Sequence, residues 1–377
     1  MKTLTLTLHD TDNCGSSLQA FALQNFLLSK NIENKIINYT PVYTINNGHP
    51  VRALAREILY GKDKHESRCK FVAFKNTYLN LTEERYASYD ELCNNIPVAD
   101  VYITGSDQLW NTMYSCGRDP VFYLSFVPAS NCRKIAYAVS VGRKDIPPDN
   151  LQIIENRCQD FSWISLREKS SVSQIKNIVK NTPIEYVSDP VLLNDSQVYL
   201  DMVKNKCIDD KYILVYIAQD INRHDLNLIL EKVKEERKDT RIVFIGSYRH
   251  KCKCDYHIRS YGPAEFLSLI LNAEYIITNS FHATLFSVLF KRQFVTLIPP
   301  QNGERIINVL DAFGLSDRIA GISDCAISGL LSEQKLLDAY KKAQEFGRRS
   351  GELLIQHILA HDNGCSCTDI WKGKNLS

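Results

Sequence analysis

The sequence has no excess of charge of one sign, and this limits the partners that it can bind. Its 45 Lys and Arg residues stand against 43 Asp and Glu residues, which gives a net charge of +2 at pH 7. Proteins that bind nucleic acid usually present a basic patch or stripe, and the sequence has no dense cluster of Lys and Arg. The composition therefore argues against a nucleic-acid partner.

Long apolar runs are also missing. A membrane-spanning helix needs about 18 or more consecutive apolar residues, and no segment approaches that length. The first residues, MKTLTLTLHDTDN, have threonines between the leucines, which favours a strand over a signal peptide. We therefore expect a cytoplasmic protein whose 12 cysteines remain reduced.

The cysteines lack the spacing that is typical of structural zinc sites. Cys252 and Cys254 form one Cys-x-Cys pair, and Cys365 and Cys367 form another. Structural zinc sites usually separate paired cysteines by about two to four residues. Zinc binding stays open as an alternative, but we expect free thiols and no metal. The histidines near these pairs are His250, His257 and His361.

What the sequence does contain is a regular alternation of short apolar runs and helix-compatible segments. Runs such as 99–106 and 133–142 end in small or polar residues, as strands of parallel βα units do. A polar segment, 204–211, interrupts the alternation, which then restarts. We predict an α/β fold of two Rossmann-like domains facing a cleft. The predicted divisions are residues 1–203, 204–325 and a helical segment 326–377.

Two segments have the composition of helices. Residues 51–95 carry charged, helix-compatible stretches that would cover one face of the first sheet. Residues 332–360 have the amphipathic pattern of one long helix. Because glycine disfavours a helix interior, we expect this helix to break near Gly347 or Gly351.

Ligands of open α/β sheets bind beyond the carboxyl ends of the strands, so the loops there are the candidate sites. The first such loop is DTDNCGSSLQ, in which Gly15 and Ser16 open a helix. Free backbone N–H groups at that helix start could bind an anion. The alternative is a simple capping loop with Ser16 or Ser17 as the N-cap.

The second loop, ITGSDQLWN, brings Asp107, Gln108 and Trp110 together directly after a strand. A carboxylate and an amide can bind sugar hydroxyls, while an indole can cover an apolar C–H face. The alternative is an Asx turn with Trp110 in the core. We favour the sugar site, because a core gains nothing from Asp and Gln beside the indole.

The third loop begins with Arg167, immediately after the apolar run SWISL. Arginine binds phosphate or carboxylate through two parallel hydrogen bonds, so a strand-end arginine in a cleft is a candidate ligand group. The alternative is a structural ion pair with Glu168 or Asp189.

The fourth loop lies in YIITNSFHATLFSVLF, residues 275–290, where a strand passes into an apolar helix. Asn279 or Ser280 can cap that helix and leave N–H groups for an anion. His282 stands where it can pass a proton to a leaving phosphate oxygen, although it could also be a mere capping residue. Arg305 begins a later helix, where it could also be a surface charge. Together these groups predict a site for a small phosphorylated substrate.

These motifs, taken in order, resemble the polysaccharide pyruvyl transferase family. The matching stretches run from about residue 10 to residue 290. They are DNCGSSLQAFALQ, ITGSDQLWN, AYAVSVG, ISLREKSS, VSDPVLL and ITNSFHATLFSVLF. The resemblance implies a fold like that of GT-B glycosyltransferases, with the final helix returning to the first domain.

The resemblance also implies an activity, which is transfer of pyruvate from phosphoenolpyruvate onto two hydroxyls of a sugar as a cyclic ketal. The family's catalytic histidine corresponds to His282, and Arg167 and Arg305 correspond to its basic residues for phosphoenolpyruvate. Asp107 is the candidate base, and no cofactor or metal is expected. The expected phosphoenolpyruvate contacts are Asn279, Ser280, His282, Arg167 and Arg305. The expected acceptor contacts are Asn13, Gly15, Ser16, Ser106, Asp107, Gln108 and Trp110.

One departure from the family pattern precedes the histidine. Some branches have Arg-Leu there, whereas this chain has Ser280-Phe281, so another basic residue must supply that charge. A galactose with free 4- and 6-hydroxyls, on a polyprenyl diphosphate lipid, fits such pathways; the enzyme would then contact the inner face of the membrane. The alternatives are a GT-B glycosyltransferase that uses a nucleotide sugar, and a non-catalytic carbohydrate-binding protein. The sequence does not indicate an oligomeric state.

Overall fold

The structure is a computed structural model in which every strand is parallel to its sheet neighbours. It describes residues 1–41, 43, 50–128, 132–246, 252–300, 302–320 and 329–360, and for residues 50–60 the backbone alone.

The first sheet has seven strands in the order β3-β2-β1-β4-β5-β6-β7. Its central strand β4 is buried at all seven positions, as expected for a parallel sheet that is covered on both faces. The strands are β1 Lys2–Leu6, β2 Glu33–Tyr39, β3 Leu81–Tyr86, β4 Val101–Asp107, β5 Arg133–Val139, β6 Trp163–Leu166 and β7 Ile184–Tyr186.

The second sheet has five strands in the order β10-β9-β8-β11-β12. All of its strands follow the polar segment 204–211, and β8 and β11 are buried throughout. The strands are β8 Tyr212–Tyr216, β9 Arg241–Ile245, β10 Tyr256–Ile258, β11 Tyr275–Thr278 and β12 Phe294–Thr296.

Helices connect the strands and cover the sheets. None of the described helices is both long and apolar enough to cross a membrane. The helices are α1 Cys14–Ser29, α2 Pro50–Tyr78, α3 Tyr89–Asn94, α4 Pro148–Arg157, α5 Lys169–Lys176, α6 Gln197–Leu200, α7 Arg223–Glu236, α8 Pro263–Leu271, α9 Phe281–Leu289, α10 Glu304–Phe313 and α11 Glu333–Leu359.

Two edge strands were not predicted. β3, with the sequence LTEERY, lies inside the segment 51–95, for which we predicted only helical stretches. β10 has three residues and none of them is buried. Edge strands are often short and charged, which protects them from pairing with other chains, and that removes the apolar alternation that would reveal them.

Helix α11 returns to the first domain, as predicted. Arg133, at the start of β5, donates hydrogen bonds to the carbonyl oxygens of His357 at 3.1 Å and Ile358 at 2.6 Å. The imidazole of His357 stacks on Trp163 with 4.5 Å between ring centroids. The hydroxyl of Ser350 accepts a hydrogen bond from the backbone N–H of Ser188 at 2.9 Å.

The expected break in α11 does not occur. The helix is continuous through Gly347 and Gly351, and both glycines are explained by close packing. A Cβ atom at Gly347 would lie 1.8 Å from the carbonyl oxygen of Leu192, and one at Gly351 would lie 2.6 Å from the Phe26 ring. The absent side chains let α11 approach the first domain.

An apolar contact joins the two domains beside α1, α8 and α9. Phe21 on α1 meets Tyr199 edge-to-face, and Tyr199 meets Phe286 on α9 in the same way at 5.0 Å between centroids. Phe286 in turn packs against Phe266 on α8. All four rings are buried, so this contact is a continuous part of the core.

Candidate active site

The N-termini of helices α1 and α9, one from each domain, meet at the carboxyl edges of the sheets. Asn13 caps α1, because its side-chain oxygen accepts a hydrogen bond from the Ser16 N–H at 3.1 Å. The alternative interpretation, with Ser16 or Ser17 as the cap, is therefore wrong. Ser280 caps α9, as one of the two predicted candidates. A Cβ atom at Gly15 would lie 2.2 Å from Nδ1 of His282, so only glycine allows this approach.

Asp107 ends β4 next to these helix starts. Its Oδ2 accepts a 2.5 Å hydrogen bond from the Ser16 hydroxyl, and its Oδ1 accepts one from the Gln108 N–H. Ser106 and Asp107 both have positive φ, 31° and 76°, which residues with a side chain rarely adopt. Strained backbone of this kind clusters at functional sites, where the surrounding structure holds it in place.

Arg167 lies between two carboxylates. Its Nη1 is 2.5 Å from Asp189 Oδ2, and its Nη2 is 3.5 Å from Asp107 Oδ1. Its side chain is 1% exposed, so it is not a surface ion pair. Arg167 therefore does form the ion pair with Asp189 that we considered as the structural alternative, but this ion pair lies inside the candidate site. Nε of Arg167 has no hydrogen-bond partner within the described ranges.

Asp189 is a site residue that the sequence reasoning used only as a structural partner. Its Oδ2 lies 2.5 Å from Arg167, 3.4 Å from the Ser106 hydroxyl and 3.5 Å from Nε2 of His282. The signal was present in VSDPVLL, where an acidic residue precedes proline after β7. Its Oδ1 accepts from the Val191 N–H and so caps the short 3₁₀ helix Pro190–Leu193.

His282 is buried, with its side chain 10% exposed. Nδ1 faces Gly15 of the first domain, while Nε2 points toward Asp189 at 3.5 Å. Nε2 has no hydrogen-bond partner in the part of the chain that the structure describes.

Arg305 completes the group from the second domain. It is 6% exposed, yet its Nε and Nη1 have no hydrogen-bond partner among the described residues. The guanidinium groups of Arg305 and Arg167 lie 5.0 and 5.2 Å from the ring centroid of Phe281, the first residue of α9. Phe281 therefore stabilises two guanidinium groups near one another by cation–π contacts. Arg305 is not the exposed surface charge of the alternative interpretation.

The buried charges shift one another's pKa values. Burial alone would raise the pKa of Asp107, but Arg167, His282 and the Ser16 hydroxyl outweigh burial and lower it. Burial would likewise raise the pKa of Asp189, but the charges of His282 and Arg167 hold that pKa well below its usual range. Both carboxylates are therefore anions at neutral pH.

The two arginines differ in electrostatic balance. Burial would lower the pKa of Arg167, but Asp189, Asp107 and Glu168 outweigh burial and raise it. The pKa of Arg305 is lowered by burial and by the positive charge of Arg167, which Asp107 only partly offsets. Arg305 is thus a buried cation with too little negative charge around it. An anion bound there would supply the missing negative charge and accept hydrogen bonds from the unpartnered N–H groups of Arg305.

Two predicted contacts have other roles in the structure. Trp110 is completely buried, stacked on Tyr123 at 5.3 Å between centroids, and its indole N–H donates to the carbonyl oxygen of Phe122. The indole cannot cover a sugar from there, so the core alternative is the correct one. Asn279 is also buried, and its amide accepts from the N–H groups of Ala218 and Gln219, which fixes the loop after β8.

Gln108 lies where the two domains touch. Its Oε1 accepts a 2.8 Å hydrogen bond from Asn111, and the same Asn111 amide donates to Asn302 of the second domain at 3.2 Å. A Cβ atom at Gly142, which has φ +77°, would collide with all three side chains. Asn302 lies three residues before Arg305 in sequence, and this amide cluster was not predicted.

No group of three or more potential metal ligands occurs among the described residues. Of the two cysteines of the first pair, Cys252 is buried and Cys254 is half-buried. His250, His361, Cys365 and Cys367 lie outside the described residues.

Comparison with solved structures shows the fold. UDP-GlcNAc 2-epimerase from Methanocaldococcus jannaschii is 17% identical, aligns over 95% of this chain and 99% of its own, and has a TM-score of 0.54. The UDP-GlcNAc 2-epimerases from Neisseria meningitidis and Rickettsia bellii are each 11% identical over 95% of this chain, and over 100% and 96% of their own, with TM-scores of 0.51 and 0.52. The predicted two-domain, GT-B-like architecture is confirmed.

Comparison with sequences shows the family. No curated protein matches the chain. A family model described as polysaccharide pyruvyl transferase matches residues 13–300, a span that contains Asp107, Arg167, Asp189 and His282 but ends before Arg305. The chain therefore belongs to the polysaccharide pyruvyl transferase family.

Proposed function

We propose that the protein transfers the enolpyruvyl group of phosphoenolpyruvate onto two hydroxyls of one sugar, forming a cyclic ketal and releasing phosphate. The observation that carries the proposal is the buried pair Arg167 and Arg305, whose unpaired N–H groups lie near His282. Buried unpaired donors cost about 1–3 kcal/mol each. An enzyme keeps such donors where a ligand satisfies them.

Phosphoenolpyruvate suits this site because it has two anionic groups, a phosphate and a carboxylate. Arg305 lacks an anionic partner in the described structure, and Arg167 shares two carboxylates but keeps Nε free. The N-termini of α1 and α9 add partial positive charge from both domains. We assign the phosphate to the side of Arg305 and α9, and the acceptor to the side of α1.

The proposed reaction balances without a cofactor or metal. A proton adds to the methylene carbon, and the first sugar hydroxyl adds to the central carbon with loss of its proton. The bond between that carbon and the phosphate oxygen then breaks, and the second hydroxyl adds to close the ring. One hydroxyl proton ends in the new methyl group and the other on the released phosphate.

His282 is the proposed acid for the departing phosphate. Its Nε2 has no hydrogen-bond partner in the described chain and lies 3.5 Å from the Asp189 carboxylate. Arg167 and Arg305 would stabilise the charge that develops on the phosphate oxygens. Asp189 would act through His282 and Arg167 as a positioning residue.

Asp107 is the proposed base for an acceptor hydroxyl. The lowered pKa of Asp107 keeps its carboxylate ionised. The carboxylate accepts a hydrogen bond from the hydroxyl of Ser16, at the start of α1. Binding of an anionic substrate would add negative charge nearby and raise the pKa of Asp107, which strengthens it as a base when substrate is present. Asn13, Gly15, Ser106 and Gln108 surround this side and remain the proposed acceptor neighbourhood.

The proposed acceptor is a hexose with free 4- and 6-hydroxyls, galactose first, because they close a six-membered ketal. Its biological form would be a polyprenyl-diphosphate-linked oligosaccharide of bacterial capsule or exopolysaccharide synthesis. The protein would then meet its acceptor at the inner membrane face.

The test is incubation of the purified protein with phosphoenolpyruvate and methyl glycosides of galactose, glucose and mannose. We expect phosphate release together with a product whose mass includes one pyruvyl ketal. His282→Ala should slow release by about 10²–10⁴-fold. The control is His224→Ala, at an exposed histidine on α7, which should keep the wild-type rate. Full activity in His282→Ala refutes its role, and turnover of a nucleotide sugar without phosphoenolpyruvate refutes the reaction.

A further inference from the structure

Trp110 is buried, so it cannot be the sugar platform that we expected from the sequence. Tyr114, four residues later, is 43% exposed, an unusual degree for a large aromatic side chain beside a buried charged site. We propose that Tyr114 is the aromatic platform for the acceptor sugar. This inference rests on the proposed function and names a residue that determines acceptor binding.

Backbone hydrogen bonds and close packing hold the loop that carries Tyr114. The N–H of Tyr114 donates to the carbonyl oxygen of Asn111 at 3.0 Å, and the N–H of Gly117 donates to that of Tyr114 at 3.1 Å. A Cβ atom at Gly117 would lie 2.2 Å from the Asn111 carbonyl oxygen, so the loop closes tightly on itself. At the start of the loop, Trp110 stacks within 5° of parallel on Tyr123. A fixed backbone lowers the entropy cost of binding a ligand on the ring.

The phenol of Tyr114 connects this loop to the proposed reaction centre. Its oxygen lies 3.4 Å from the side-chain amide nitrogen of Asn302, whose own oxygen accepts from Asn111 at 3.2 Å. Arg305 follows Asn302 by three residues, and Tyr114 is near enough to interact electrostatically with its guanidinium group. The ring is therefore at the outer edge of the site that contains Arg305.

A second exposed tyrosine is hydrogen-bonded to a residue that follows Tyr114 closely in sequence. Tyr43 is 37% exposed and donates a 2.6 Å hydrogen bond to Asp119, which also accepts one from Tyr39 at 2.7 Å. Asp119 lies five residues after Tyr114, at the end of the same surface loop. Both tyrosines have an anchored hydroxyl and a partly exposed ring.

A half-exposed ring with an anchored hydroxyl is suited to packing against a sugar. A hexopyranose has an apolar C–H face that packs on an aromatic ring, while its hydroxyls at the edge bind polar groups such as Gln108. A tyrosine ring supplies a large contact area at little conformational cost. The acceptor would lie on Tyr114 with its reacting hydroxyls directed inward, toward Asp107 and the central carbon of phosphoenolpyruvate.

The experiment measures KM for acceptor and for phosphoenolpyruvate separately, with the methyl glycoside that the wild type uses best. Tyr114→Ala should raise the acceptor KM by about three- to tenfold, because it removes the ring, and leave the phosphoenolpyruvate KM within about twofold. Tyr114→Phe keeps the ring but loses the contact with Asn302, so its acceptor KM should stay within about twofold. Melting temperatures of both variants check that they fold.

The control is Tyr256→Ala, which removes a tyrosine of similar exposure, 39%, on β10. It should leave both KM values unchanged. An active wild type together with an unchanged acceptor KM in Tyr114→Ala overturns this inference and leaves the proposed function standing. A Phe variant as impaired as the Ala variant overturns the stacking role. A wild type that uses none of the glycosides overturns the proposed acceptor class and this inference with it.

Discussion

The contact between the two domains has two faces of opposite character. One face is the ring series Phe21, Tyr199, Phe286 and Phe266, in which each side chain packs on the next. The other face is the charged group of Asp107, Arg167, Asp189, His282 and Arg305, in which several buried nitrogens have no hydrogen-bond partner among the described residues. The first face is complete without a ligand, and the second is not.

Arg133 and Arg305 show the same contrast between a residue with partners in the chain and one without. Arg133 donates to carbonyl oxygens at the C-terminus of α11, including those of His357 and Ile358, so it stabilises the fold. Arg305 is more deeply buried and has two free nitrogens within the described structure. A buried cation is costly unless it is paired. The difference is that contacts within the chain explain Arg133, whereas the anion that we propose would explain Arg305.

Loss of a ring from the apolar face should have the largest effect. Phe286→Ala leaves a cavity in the core and should lower the free energy of unfolding by about 4 kcal/mol, measured by urea denaturation. The control is Leu228→Ala, at a side chain on α7 that is 37% exposed, which should change it by less than about 0.5 kcal/mol. Equal losses in the two variants would contradict the account of this face.

Removal of the charge at Asp189 should come next. Asp189→Asn keeps the shape of the side chain but leaves Arg167 with an uncharged partner. This should lower the free energy of unfolding by about 3 kcal/mol at pH 7. The pKa of Asp189 is lowered in the folded state, so its contribution is complete above the unfolded pKa of about 3.9 and is lost as the pH falls toward the folded pKa. The difference in the free energy of unfolding between the wild type and Asp189→Asn should therefore become smaller below about pH 4. A difference that becomes larger there contradicts the assignment.

Removal of Arg305 should change stability in the opposite direction. Arg305→Met replaces buried unpaired donors with an apolar chain and should raise the free energy of unfolding by about 1–3 kcal/mol. Arg133→Met is the matched control. It should lower the free energy of unfolding, because carbonyl oxygens of α11 lose their hydrogen-bond donor. If both variants are destabilised to the same degree, Arg305 is structural and the contrast fails.

The smallest effect on stability should come from Gly15→Ala, although its effect on activity should be large. Alanine favours the helix by about 1 kcal/mol over glycine, but its Cβ would displace the imidazole of His282. A misplacement of about 1 Å can cost about 10²-fold in rate, so we expect that loss with nearly wild-type stability. Ser17→Ala, on the same helix, should keep the wild-type rate. Normal activity in Gly15→Ala would show that the ring can move freely.

The architecture could be predicted because strands buried on both faces give continuous apolar runs, as β4 and β8 do. The same argument fails at the sheet edges, where β3 carries Glu83 and Glu84 and resembles a charged helix. The continuity of α11 could not be predicted either, because it depends on the contact between Gly347 and Leu192, which are far apart in sequence.

The candidate site was partly predictable for a related reason. The rule that ligands bind at strand ends selects Asp107, Arg167 and His282, and the structure brings these three together. The rule says nothing of which side chain turns inward, so it assigned Trp110 to the ligand although the indole packs on Tyr123. Asp189 also follows a strand, so the same rule, applied to its carboxylate, would have predicted it as a site residue.

The most direct test of the central claim is calorimetric titration of phosphoenolpyruvate, without acceptor, into the wild type and into Arg305→Met. We predict saturable binding to the wild type and at least tenfold weaker binding to the variant, since a charge-assisted hydrogen bond contributes about 1.5–3 kcal/mol. UDP-galactose should give no comparable heat with the wild type. Equal affinity of the two proteins for phosphoenolpyruvate, or binding of UDP-galactose alone, would contradict the claim that the unpaired arginine nitrogens hold an enol phosphate.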